Sequence, residues 1–207
     1  MKNKIVITIA RQYGSGGREI GKIVSETLGI PYLDKEIISA AVAESGIHAD
    51  LLRNNDERVG NPLGQAFAAG GAYSYFGSEP TINDKIFIAE SDVIKKYAKA
   101  GSCVIIGRCA SYILREEVEH LSVFVNADLE DRMRRAVEDY GEPSRKIREL
   151  LAKKDKQRAH YHHFYTDERW MDLEHYDITV NSSALGLENA AKLIIEAARY
   201  RCLPKES

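Results

Sequence analysis

The chain has 207 residues, 44% of them hydrophobic and 29% charged, and a formal net charge of −2. That length suits one domain with a substantial core, and the near-neutral balance excludes a global field that would draw the chain to nucleic acid or an anionic membrane. Cys103, Cys109 and Cys202 form no C-x-x-C pair or zinc-ligand spacing, which argues against a disulfide framework and for a reducing, cytoplasmic setting.

The elements follow in chain order. Ile5–Ala10 is a β-branched run without alternation, the pattern of a strand buried on both faces. It is too short and too soon interrupted for a signal peptide, and no stretch of the chain approaches a membrane span. A turn over Arg11–Gly17 leads into a helix over Arg18–Leu28, with Ile20, Ile23, Val24 and Leu28 on one face and Gly29 at its C-cap. Pro31–Asp34 reads as a short strand ending on a carboxylate, and Lys35–Glu44 as a helix. Residues 60–80 are rich in glycine and aromatics without periodicity, which predicts a long loop. Its aromatics around residues 67–76 would cap the core by default, and are otherwise a candidate contact surface for a base or a second copy of the chain.

Thr81–Ala100 repeats Ile82, Ile86, Ala89, Val93 and Tyr97 at helical spacing. Ser102–Gly107 is a third strand, Ala110–Glu117 a short helix, and Leu121–Val125 a fourth strand. Asp128, with Asp131 three residues on, predicts a capped helix running to about Tyr140. Lys146 to about Trp170 reads as a long polar helix, Tyr176–Asn181 as a fifth strand and Leu187–Tyr200 as a closing helix. Strand and helix alternate nearly throughout, so a parallel sheet wrapped by helices is expected.

The turn Gly14-Ser15-Gly16-Gly17 leaves a buried strand and opens a helix. Glycines there free backbone N–H groups to converge on an anion at the positive end of a helix; an ordinary βα turn using glycine for geometry is the alternative. Two nucleotide patterns compete for it. G-x-G-x-x-G fails at Glu19, although Asp34 stands where a ribose-binding carboxylate would lie, which keeps a dinucleotide-dependent oxidoreductase open. G-x-x-x-x-G-K-[ST] fails at Gly17 and Arg18, which replace its lysine and hydroxyl residue.

Six segments in register order do more than either pattern. Ile7-Thr8-Ile9 with Gly14-Ser15-Gly16, Leu33-Asp34, Ile105-Ile106-Gly107-Arg108, Val123–Ala127 with Arg132 and Arg135, Asp155–Arg158, and Tyr176–Ser183 together resemble the cytidylate kinase-like family. The resemblance spans nearly the whole chain. It implies a P-loop NTPase-like three-layer α/β/α fold with a five-stranded parallel sheet and a helical lid. It further implies a single nucleoside monophosphate kinase-like domain with an acceptor-side insert at about 35–100 and a lid at about 144–172.

The implied activity is ATP-dependent phosphorylation, with Mg2+, of a nucleoside monophosphate such as CMP or of another small acceptor. Gly14, Ser15, Gly16 and Gly17 would bind phosphate, and Asp34 and Arg108 the acceptor. Arg132 and Arg135 would touch the donor nucleotide, and Arg158 and Lys156 would close from the lid over the transferring group. Arginine suits that task because its planar fork matches phosphate and stays protonated. The chain departs from the family at Gly17, where a lysine belongs, and at Ile106 and Cys109, where aspartates flank the glycine-arginine pair in cytidylate kinases. Arg11, Arg18 or Lys22 would have to restore the loop's charge, with Arg18 the expected catalytic cation. A nucleotide-sensing module that kept the fold without the lysine is the non-enzymatic alternative.

The lid segment also carries His160 and His163 with Asp167 at helical spacing, but no metal motif frames them and no metal site is expected. Partners are expected to be small nucleotides, with no nucleic acid and no membrane.

Overall fold

A computed structural model describes residues 4–44 and 81–202. The expected glycine-rich loop and its candidate contact surface lie outside these residues. The five strands are β1 (Val6–Arg11), β2 (Tyr32–Leu33), β3 (Cys103–Ile106), β4 (Leu121–Asn126) and β5 (Ile178–Asn181). The helices are α1 (Gly17–Leu28), α2 (Lys35–Glu44), α3 (Ile82–Ala100), α4 (Ala110–Leu114), α5 (Leu129–Glu138), α6 (Ile147–Thr166) and α7 (Ser182–Cys202). None of these helices is long and apolar enough to cross a membrane.

The chain divides into two compact units, Met1–Lys35 with Ile94–Ser207, and Glu36–Val93. The first holds the whole sheet, five parallel strands in the order β2-β3-β1-β4-β5. β1 is central, pairing Ile9 with Ile106 on one side and with Val123 on the other. A β-branched strand without polar alternation belongs in such a position, because helices must cover both faces of a parallel sheet. On one face Ile7, Ile9, Val123 and Val125 pack with Ile20 and Val24 of α1 and Ala190, Ala191 and Ile194 of α7. On the other, Phe124 packs with Trp170 and Tyr176, with Ala10 and Ala159 of α6 against them. This is the expected P-loop NTPase-like three-layer α/β/α architecture. Within the second unit, Ile38, Val42, Ala89, Glu90 and Val93 are buried.

Three local expectations are corrected. The apolar face of α3 is Ala89, Val93, Ile94 and Ala98, while Ile82 and Tyr97 are exposed, so the stripe is rotated from the one spacing suggested. Asp128 precedes α5 but caps nothing with its side chain; its carboxylate accepts from Asn181 Nδ2 at 3.3 Å and its N–H donates to Ser183 Oγ at 2.9 Å. Trp170 does not belong to the polar helix. That helix stops at Thr166, where Asp167 takes a left-handed φ of 58°, and Trp170 is buried with its ring 5.4 Å from Phe124. The Tyr176 hydroxyl donates to the Trp170 carbonyl at 2.7 Å and closes this small cluster, and burial pushes the phenol upward.

Candidate functional site

The turn after β1 is held by its carbonyls. Arg158 Nη1 donates to the Arg11 carbonyl at 2.8 Å. Ser15 donates its N–H and its hydroxyl to the Gln12 carbonyl, at 3.3 and 2.9 Å. Arg132 Nε donates to the Tyr13 carbonyl at 2.8 Å and Arg135 Nη1 to that of Gly14 at 2.6 Å. Ser182 Oγ reaches the Ser15 carbonyl at 2.6 Å, and the Ile20 N–H takes that of Gly16 at 2.9 Å. With each carbonyl from Arg11 to Gly16 turned toward protein donors, the N–H groups of Gly14, Gly16, Gly17 and Glu19 are left without a hydrogen bond among the described residues. Gly14 (φ 80°) and Gly16 (φ 76°) supply the left-handed conformations that permit this. Converging free N–H groups at a helix start form a nest for an anion.

The support is buried and charged. Asp155 Oδ1 accepts the Tyr13 N–H at 2.7 Å, and its Oδ2 pairs with Arg132 Nη2. Arg132 and Asp155 thus grip the donor and the acceptor of one residue, Tyr13. The Tyr13 hydroxyl donates to Glu142 at 2.6 Å, its ring meets Tyr140 edge-on at 5.7 Å, and burial with the Glu142 bond pushes its phenol up to about 12. Tyr140 in turn donates to Glu19 at 3.1 Å on the first turn of α1.

A cavity of about 390 Å³ opens over this turn, lined by Gly14, Gly16 and Gly17 together with Arg11, Arg18, Lys22 and Arg158 as cations and Glu19 and Asp34 as carboxylates. Arg18 and Asp34 approach within 3.9 Å across it. Arg158 lies 5.3 Å from the Tyr13 ring, a cation–π placement, and burial lowers its guanidinium. Burial, then Arg158, Arg18 and Arg108, bring the Arg11 guanidinium down to about 9. Four cations against two carboxylates make the cavity a place for a multiply charged anion.

The structure therefore brings together Gly14, Gly16, Gly17, Arg18, Asp34 and Arg158 from among the residues that sequence singled out. The others stand elsewhere. The buried Ser15 hydroxyl faces the Gln12 carbonyl, and Arg132 and Arg135 are buried behind the turn. Lys156 is exposed on α6 and does not line the cavity. Arg108 donates to the Tyr161 hydroxyl at 3.3 Å and sits 5.5 Å from that ring. It belongs to a left-handed run, Gly107 (φ 74°), Arg108 (56°) and Cys109 (55°), at the end of β3; non-glycine residues held in this region concentrate at functional sites. His163 approaches Asp167 at 4.0 Å on an exposed surface.

Tyr13, Tyr140 and Glu142 were not marked as site residues by sequence, and Asp155 and Ser182 only fell within segments of the resemblance, since no motif marks a side chain whose partner is distant in the chain. The Tyr13–Asp155 contact joins residues 142 apart.

Comparison with known proteins gives the family. The cytidylate kinase-like family matches residues 6–184. A cytidylate kinase of Aeropyrum pernix is 28% identical over 193 residues, covering 92% of this chain and 96% of that protein. The crystal structure of an uncharacterized protein from Eubacterium ventriosum superposes with a TM-score of 0.70 at 26% identity, covering 95% of this chain and 99% of the other. A gluconokinase from Sinorhizobium meliloti has a TM-score of 0.52 at 15% identity, over 98% of this chain and 95% of its own, a likeness of fold alone. With the match running from the first strand into the start of α7, the chain belongs to the cytidylate kinase-like family.

Proposed function

We propose that the protein is a nucleotide-dependent phosphotransferase that moves the terminal phosphoryl group of ATP to a nucleoside monophosphate, CMP first among them. The observation that carries this reading is the turn at Gly14–Gly17, whose carbonyls are tied back and whose glycines 14, 16 and 17 line a cationic cavity with their N–H groups unbonded among the described residues. An acceptor phosphate oxygen bonds to the γ-phosphorus as the bond to the β,γ-bridging oxygen breaks, and ADP leaves with that electron pair. Such a transfer asks the protein mainly for positioning and charge neutralisation.

The residues present fit a polyphosphate, through free N–H groups and four cations. They also fit Mg2+, a hard cation that takes oxygen ligands, for which Asp34 and Glu19 are the carboxylates lining the cavity. Bound magnesium would neutralise phosphate oxygens. Arg158 is the cation proposed to stabilise the transferring group, and Arg18, facing Asp34, the one proposed to order the donor or acceptor phosphates. Arg108 is proposed on the acceptor side, where the left-handed run at the end of β3 holds it. Lys156, exposed on the same helix as Arg158, is assigned to first contact with the anionic substrate. Arg132 and Arg135 act on the donor nucleotide through the turn they hold.

With label in the γ-phosphate of ATP, the folded protein and magnesium should transfer it to CMP in a panel of nucleoside monophosphates. Arg158→Met should lower kcat about 10²- to 10³-fold, as loss of one transition-state donor does elsewhere. Transfer to none of the panel would remove the kinase reading. The missing loop lysine at Gly17 keeps a second reading in view, a nucleotide-sensing module. Calorimetric binding of ATP without turnover of any acceptor would select it.

A further inference from the structure

The turn departs from the phosphate-binding loop pattern at three places, at Arg11, Gly17 and Arg18, and the first two prove sterically to be one. Setting G-x-x-x-x-G-K-[ST] by Gly16 puts its first glycine at Arg11 and its lysine at Gly17. The long cation and the glycine have exchanged positions. A Cβ on Gly17 would lie 2.6 Å from Arg11 Cβ and 2.8 Å from Arg11 Cγ, so the Arg11 stem fills the space through which a side chain at 17 would emerge. Further along the same side chain, a Cβ on Gly107 would collide with Arg11 Nη1. Two bare backbones, one opening α1 and one ending β3, therefore form the channel through which Arg11 crosses.

Arg11 Nε is buried without a hydrogen-bond partner, and no ion pair to Arg11 occurs among the described residues. Burial and the like charges of Arg158, Arg18 and Arg108 act against its charged form, and Tyr32 acts in its favour. A buried guanidinium crowded by other arginines and paired with no carboxylate among the described residues destabilises the fold unless an anion arrives to pair with it. Arg11 also lines the cavity over the free N–H groups of Gly14, Gly16 and Gly17.

We propose that Arg11 is the phosphate-contacting cation of this loop, crossing from the end of β1 to stand in for the lysine that Gly17 lacks, and that its ligand is the polyphosphate tail of a nucleoside triphosphate. The inference rests on the nucleotide phosphotransferase reading above. An arginine in this place offers a planar fork to two phosphate oxygens where a lysine offers a point charge. It also explains why residues 17 and 107 are both glycine, since either side chain would displace the Arg11 stem or its head.

Isothermal titration with inorganic tripolyphosphate and with a non-hydrolysable ATP analogue tests this, beside thermal melting without any anion. The wild-type chain should bind both. Arg11→Met keeps a stem of similar shape and removes the charge, so its affinity for tripolyphosphate should fall about ten- to a hundredfold. Its anion-free melting temperature should equal or exceed that of wild type, because an unpaired buried cation has gone. Arg11→Lys should keep more affinity than Arg11→Met. Wild-type affinity in Arg11→Met would overturn the proposal while leaving the phosphotransferase reading intact. Lost affinity with a lowered anion-free melting temperature would also overturn it, since Arg11 would then be a structural residue. If the wild-type chain binds neither tripolyphosphate nor the ATP analogue, the phosphotransferase reading itself fails.

Discussion

Asp155→Ala should lower the melting temperature by roughly 10 °C and weaken nucleotide binding at a cavity that Asp155 does not itself line. The carboxylate accepts the Tyr13 N–H at 2.7 Å with one oxygen and pairs with Arg132 through the other, and both side chains of the pair are largely buried, 14% and 8% exposed. Removing one partner of such a pair strands the other, which costs about 3–5 kcal/mol, and a chain of this size loses about 2–4 °C per kcal/mol. Arg132 would lose its orientation toward the Tyr13 carbonyl as well. The double variant Asp155→Ala, Arg132→Met should be destabilised by less than the sum of the two single changes, because no charge is left unpaired. Differential scanning calorimetry of the four proteins measures this coupling. Strict additivity would show that the pair does not act as a unit.

The reason lies in how the turn is built. A nest of N–H groups is useful only if the peptide planes are prevented from rotating, and here the restraints come from outside the turn: Arg132 and Arg135 on α5, Asp155 and Arg158 on α6, and Ser182 at the start of α7. Donors already aimed at an anion need no reorganisation when it binds. On the proposed reading Arg132 and Arg135 would support phosphate binding without touching phosphate, because their guanidinium groups end on the carbonyls of Tyr13 and Gly14.

This division explains what could be read from sequence. β1, α1 and the turn between them are legible because their signals are local: a β-branched run, glycines at 14, 16 and 17, an amphipathic helix and a glycine at its C-cap, Gly29, with φ 62°. The five-stranded parallel sheet was implied by resemblance, but its order β2-β3-β1-β4-β5 was not, since no spacing rule orders the strands that Leu33, Ile105 and Val123 mark. The Asn181-Ser182-Ser183 step carried a local signal that went unread: Asn181 Oδ1 accepts the N–H groups of Ser183 and Ala184, at 2.9 and 3.4 Å, so helical structure begins before the expected Leu187 and breaks at Gly186. The clamp on Tyr13 was beyond local reading, because each partner is an ordinary polar residue in its own segment. Trp170 misled for the same reason: beside charged residues it looked like part of an exposed helix, and only the position of Phe124 shows that it fills a gap against the sheet.

Gly14→Ala should abolish most phosphate binding, and the cause is backbone against backbone. Gly14 sits at φ 80°, a region that costs an L-residue about 1–3 kcal/mol. A Cβ there would lie 2.5 Å from the Arg132 carbonyl oxygen and 3.0 Å from Arg132 Cα, within α5. No flexible side-chain end can move aside, so the turn itself must shift, and with it the Gly14 carbonyl that Arg135 holds at 2.6 Å. Overpacking adds about 1–3 kcal/mol to the strain, and an affinity loss of at least about tenfold for tripolyphosphate is expected from displaced N–H donors. Gly29→Ala is the matched control. Its φ is also positive, at 62°, but nothing lies within 4 Å of the added Cβ, and the residue caps the far end of α1. That variant should lose about 1 kcal/mol of stability from conformational strain alone and bind tripolyphosphate as wild type does. Equal affinity in the two variants would show that the left-handed conformation, rather than the close approach of the turn to α5, governs the site.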